Sequence, residues 1–99
     1  MKKIIWSPLS IERVEEIANY IRKDSVNASI VWAKAIFSII ERLNKYPKSG
    51  RVVPEVERED IREVIFKNYR VIYRVDKNRL VILTVRHGKQ LLPLDDVEK

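Results

Sequence analysis

The chain contains no cysteine. That excludes disulfide frameworks, thiolate-held zinc and thiol catalysis. Its one histidine, His87, leaves too few imidazoles for a His-built metal site. Glycine occurs twice and proline four times, with no low-complexity stretch, repeat or long linker. No apolar run is long enough to span a bilayer. Met1-Lys2-Lys3 is followed by only Ile4-Ile5-Trp6 before Ser7-Pro8, too short for the apolar core of a signal peptide. These absences predict a cytoplasmic domain without metal, cofactor or membrane contact.

What is present fits one domain over residues 1–99. Hydrophobic residues make up 45% and charged residues 34%, too apolar for a disordered chain and too charged for a membrane protein. The net charge is +6. Residues 61–90 hold 8 basic and 2 acidic residues, mostly as arginine: Arg62, Arg70, Arg74, Arg79 and Arg86. Arginine's planar fork holds two oxygens at once, so the charge reads either as a basic surface or as a polyanion site.

The periodicity changes along the chain. Lys2–Trp6 reads as a strand. Ser7-Pro8 opens a helix to about Arg22, with its stripe on Leu9, Ile11, Val14, Ile17, Ala18 and Ile21. Ser25 caps a second helix, striped by Ala28, Val31, Trp32, Ala35, Ile36, Ile39, Ile40, Leu43 and Tyr46, which Pro47 and Gly50 end. Ile61–Phe66, Tyr69–Val75 and Leu80–Val85 are strands of an antiparallel meander, turned at Lys67-Asn68 and Lys77-Asn78. The expected fold is α+β: an N-terminal strand and an antiparallel helix hairpin packed on one face of a mostly antiparallel sheet of about four strands.

The turns also set a register. Pairing Phe66 with Tyr69 and Asp76 with Arg79 places Val64, Phe66, Tyr69, Val71, Tyr73, Val75, Leu80 and Ile82 on one apolar face, assigned to the helices. The other face then carries Ile61, Glu63, Ile65, Arg70, Ile72, Arg74, Val81, Leu83, Val85 and His87. A two-layer protein leaves that face open, and a face both apolar and basic wants a partner.

Three residues have the chemistry for RNA cleavage. Arg70 reads either as a strand arginine paired with Glu63 or as a phosphate clamp. His87 reads as an exposed strand end or as a general acid or base. Glu55 reads as one loop acid among several or as the base for a ribose 2′-hydroxyl. Their spacing alone does not bring them together. Trp6, Trp32, Tyr46 and Tyr69 read as core aromatics rather than base-stacking platforms. Asp95, Asp96 and Glu98 read as a solvated acidic tail.

Several segments, taken in order, resemble the RelE/ParE superfamily of type II toxin–antitoxin toxins. They are Ile5-Trp6-Ser7-Pro8, Leu43 to Arg51, Arg62-Glu63-Val64, Asn68 to Val75, and Val85-Arg86-His87-Gly88-Lys89. The resemblance covers nearly the whole chain. It implies a RelE/ParE-like fold and a toxin neutralised by a cognate antitoxin that wraps it. It also implies one of two targets: mRNA on the ribosome, cut without a metal in the RelE-like branch, or DNA gyrase, poisoned without nuclease activity in the ParE-like branch. An inactive, antitoxin-binding relic is a further reading.

Carried onto this sequence, the resemblance makes Arg70, Glu55 and His87 the catalytic set. Arg74, Arg86 and Lys89 become RNA or phosphate contacts, and Glu63, Ile65, Ile72 and Leu83 contacts for the antitoxin. Arg70 matches the nuclease strand arginine, and Glu55 resembles the base position of the YoeB-like branch. His87 lies one residue before that branch's acid histidine. The lysine pair of RelE proper is absent from Ile61, Glu63 and Ile65, and Gln90 replaces a further arginine. The expectation leans slightly to a ribosome-dependent endoribonuclease.

Overall fold

The computed structural model describes residues 2–88, 92, 96 and 97. Strand β1 (Lys3–Trp6) leads into helix α1 (Pro8–Arg22). Ser7 caps α1, its hydroxyl accepting from the Ser10 N–H at 3.0 Å, and Pro8 takes the first helical position. Helix α2 (Val26–Lys45) follows, with Ser25 accepting from the Ala28 N–H at 3.1 Å. A 3₁₀ turn (Pro47–Ser49) and the two-residue strand β2 (Arg51–Val52) come next. The meander is β3 (Ile61–Phe66), β4 (Tyr69–Val75) and β5 (Arg79–His87).

The sheet has five strands in the order β1-β5-β4-β3-β2. The fifth is the short β2, which has no periodicity of its own to predict it. β1 runs parallel to β5, and the other pairings are antiparallel. The helix hairpin thus carries the chain from one edge of the sheet to the other. No helix among the described residues is long and apolar enough to cross a membrane.

The hairpin covers one sheet face. Trp32, Ile36, Ile40 and Leu43 of α2 pack with Val71, Tyr73, Leu80 and Ile82. The stripes overreach at four positions: Ile11, Ala28, Val31 and Tyr46 are exposed, because helix packing buries a narrower band than the run of apolar residues. Gly50 does not end α2, which stops at Lys45. It allows a close approach instead, since a Cβ there would lie 2.4 Å from the Tyr73 hydroxyl and 2.6 Å from the Glu63 carbonyl oxygen. That hydroxyl is buried, accepting from the Gly50 N–H at 3.0 Å and donating to the Pro47 carbonyl at 2.7 Å. Burial raises the Tyr73 pKa.

The opposite face is not open. Val53, Ile61, Ile72, Val81, Leu83, Leu92 and Val97 form a second apolar cluster, with Val56 packed against it. The chain covers this face with its own β2–β3 loop and with residues near its C-terminus. The acidic end is not wholly solvated either. Asp96 is 8% exposed and pairs with Arg86 at 2.7 Å; Asp95 and Glu98 lie outside the described residues.

The β3–β4 register is the expected one throughout. Left-handed backbone in its turn falls on Lys67 (φ 53°), not on Asn68. Between β4 and β5 the expected register holds from Val75–Leu80 to Tyr73–Ile82, then slips. Ile72 pairs with Thr84, so Leu83 is an extra residue forming a β-bulge. The Ser7 hydroxyl donates to the Leu83 carbonyl at 2.8 Å, tying the bulge to the start of α1. Beyond it each side chain changes face. Val85 pairs with Val71 and joins the helix-side core, Arg86 pairs with Arg70, and His87 pairs with Tyr69. The placement of Val85 and His87 on the second face is therefore corrected.

Candidate functional site

Arg70 sits within β4 and is 5% exposed. Its neighbour across the hairpin is β3, whose alternation brings Glu63 to the same face. Glu63 is 1% exposed and accepts from Arg70 Nε at 2.6 Å. Its other oxygen accepts from Arg51 Nε of β2, also at 2.6 Å. The β2–β3 loop brings Glu55 to the far edge of the guanidinium. Arg70 Nη1 donates to Glu55 Oε2 at 2.8 Å and Nη2 to Oε1 at 2.9 Å. The Leu92 N–H donates to the same Oε2 at 3.2 Å. Four side chains thus alternate in charge: Arg51, Glu63, Arg70, Glu55.

The electrostatics follow from that chain of contacts. The Arg70 hydrogen bonds hold the Glu55 carboxyl at about 2, well below the usual carboxylate range. The Glu55 hydrogen bonds in turn raise the Arg70 pKa, so the pair stays ionised. Two cations and two carboxylates cancel, leaving no net charge in the cluster.

The other proposed residues are distributed around this cluster. Arg74 is half-buried and engages Asp76 through Nε at 2.8 Å and Nη2 at 3.0 Å. Those bonds raise the Arg74 pKa and lower that of Asp76. Arg86 lies across from Arg70 on the same face, paired with Asp96. His87 points to the helix side, with its ring 5.8 Å from that of Tyr69 in an edge-on contact. It lines a cleft there with Arg13 and Tyr20 of α1. So the structure brings Glu55 to Arg70 but puts His87 on the other side of the sheet, because of the bulge.

Glu63, Ile72 and Leu83 are buried, so they are not surface contacts in this structure; Ile65 is 50% exposed. Lys89 and Gln90 lie outside the described residues. Among the aromatics, Trp6, Trp32 and Tyr69 pack in the helix-side core, while Tyr46 is exposed. Among the described residues no group of three His, Cys, Asp or Glu side chains is placed to hold a metal ion. Sequence reasoning missed Arg51 and Asp96 as partners. Arg51 carried one signal, its place directly after Gly50; Asp96 carried none, because its pairing depends on where the chain end folds back.

Residues 4–92 match the family described as ParE toxin of type II toxin-antitoxin system, parDE. The chain is similar to a protein of Sinorhizobium fredii (strain NBRC 101917 / NGR234) named "Putative toxin Y4kP". The two are 32% identical over 94 residues, which span 93% of this chain and 94% of the relative. It is also similar to a solved structure described as the chromosomal ParDE TA system from P. aeruginosa. That likeness has a TM-score of 0.74 at 15% identity, covering 90% of this chain and 98% of the other, and shows a shared fold. With the family match spanning almost the entire described fold, the chain belongs to the ParE toxin family and is the toxin of a type II toxin–antitoxin module whose partner is a cognate antitoxin.

Proposed function

We propose that this toxin stops growth by binding DNA gyrase, the ParE-type target, and does not cleave mRNA. The observation that carries this reading is the state of Arg70. Stabilising a phosphorane needs uncompensated positive charge aimed at its oxygens. Here the guanidinium is engaged by both Glu55 and Glu63, and the four-residue cluster is neutral. A general base works best with a pKa near the operating pH. Glu55, held at about 2, is too weak a base for a ribose hydroxyl at neutral pH. His87 faces the helix side, away from both. The missing strand lysines at Ile61, Glu63 and Ile65 agree with this reading.

The test uses the purified full chain on two targets. Supercoiling by gyrase should be inhibited, and primer extension on translating ribosomes should show no new mRNA ends. Growth arrest with unaffected supercoiling and A-site cleavage would instead establish the nuclease. Expression without growth arrest would reject both in favour of an inactive relic.

A further inference from the structure

We infer that the lysine-rimmed groove where α2 ends binds single-stranded DNA, with phosphates on Lys2, Lys45 and Lys48 and a base on the ring of Tyr46. The inference rests on the gyrase reading only for the strand being DNA. Among the described residues every ion pair uses an arginine and none a lysine. The positive charge still open to a partner therefore sits largely on lysines. Three of them line one groove: Lys2 before β1, Lys45 at the end of α2 and Lys48 in the 3₁₀ turn.

The fold holds this groove in place. Lys2 Nζ donates to the Asp76 and Lys77 carbonyls at 2.6 and 2.8 Å, which fix the ammonium without cancelling its charge. Arg42, one turn before Lys45, lines an adjoining groove that shares Lys45 and Tyr46. Glu41 is the one carboxylate, among the described residues, that lines either groove. Four cations (Lys2, Arg42, Lys45, Lys48) against that one carboxylate leave +3. The C-terminus of α2 adds about half a negative charge, too little to cancel the rest. Asp76 is close by, but its carboxylate is held by Arg74 and Arg79. Nothing has to move to open the site, because Lys45, Tyr46 and Lys48 are already exposed.

Charge and shape select the occupant. Lysine is a compact point charge that meets phosphate oxygens from many angles, whereas a planar carboxylate is better held by the arginine fork. Between the lysines lie Pro47, Val75 and Tyr46. Tyr46 is 59% exposed, with Lys45 Nζ 6.0 Å from its ring centroid. A base stacked on that ring has a cation within reach of its own phosphate. This pairing of an aromatic platform with a basic groove is how single strands are held without regard to sequence. A duplex keeps its bases stacked inside and has none to offer the ring.

The experiment is fluorescence anisotropy of the full chain titrated into a labelled thymidine oligomer of about twelve nucleotides, over a series of salt concentrations. The double variant Lys45→Gln/Lys48→Gln should bind at least about tenfold more weakly, and its log–log salt slope should flatten by about 1.4. Tyr46→Leu should bind at least about fivefold more weakly with the salt slope unchanged, since it removes stacking and no charge. Lys23→Gln/Lys34→Gln takes the same charge from exposed positions nearer the other end of α2, and should change binding less than about threefold once salt screens at that range. Circular dichroism reports folding of each variant. Absence of binding overturns the proposal, as does an equal loss in the Lys23/Lys34 control, which would reduce the site to net charge. Tighter binding of a DNA duplex, of a uridine RNA oligomer or of a labelled oligoglutamate overturns it too, the last in favour of an acidic protein segment. So does unfolding of both site variants, which would make these residues supports of the fold. Supercoiling by gyrase is read in a separate reaction, so the two readings fail separately.

Discussion

Glu55 links the site to pH. Its folded pKa of about 2 lies below the ordinary 4.5, so the unfolded chain takes up its proton first as pH falls. The stabilising pair with Arg70 is fully present above pH about 4.5 and is lost as pH drops toward 2. Urea midpoints measured across that window should fall with pH in wild type, and more gently in Glu55→Gln. A second residue carries a cost with no visible return. Thr84 is fully buried at the bulge, and its hydroxyl has no hydrogen-bond partner among the described residues. Thr84→Val keeps the branched shape and removes the orphaned group, so it should raise stability by about 1 kcal/mol in chemical denaturation. Much of the Arg70 site was readable at this scale: Arg70 beside Glu63 follows from the β3–β4 hairpin alone. The arrival of Glu55 was not, because a loop's path is set by tertiary packing and leaves no periodicity to read.

Among the elements, Ser7 joins α1 to the sheet. Its hydroxyl caps the helix and also donates to the bulged Leu83 carbonyl. Ser7→Ala removes both bonds and should cost about 1–3 kcal/mol, read as a lower denaturation midpoint. Both helices, their caps, and the β3–β4 pairing were legible because apolar spacing and turn chemistry agreed. The bulge was not. Val81 to Val85 are, apart from Thr84, uniformly aliphatic, and a slip of one residue inside such a run changes no visible pattern. β2 escaped for a different reason: two residues are too few to show alternation.

At the scale of the whole molecule, the second sheet face is closed by the chain itself. Leu92 and Val97, each 5% exposed, cap the cluster around Ile72 and Leu83. Leu92→Ala should cost about 2–4 kcal/mol and expose that cluster, visible as a lower melting temperature and new binding of a hydrophobic dye. The excess positive charge of residues 61–90 is likewise less available than its count implies, since Arg70, Arg74 and Arg86 each hold a carboxylate of the same chain. The extra residue in β5 has a larger meaning at this scale. It acts as a half-period phase shift, and everything downstream of it is presented in antiphase. Deleting Leu83 would remove the bulge yet leave the later pairs as they are, with Thr84 opposite Ile72 and His87 opposite Tyr69, whereas closing the bulge at unchanged length would slip those pairs by one residue and send the imidazole to the other face. On this scaffold it is the step in register, not the length of β5, that keeps the imidazole of His87 apart from the guanidinium of Arg70 and the carboxylate of Glu55.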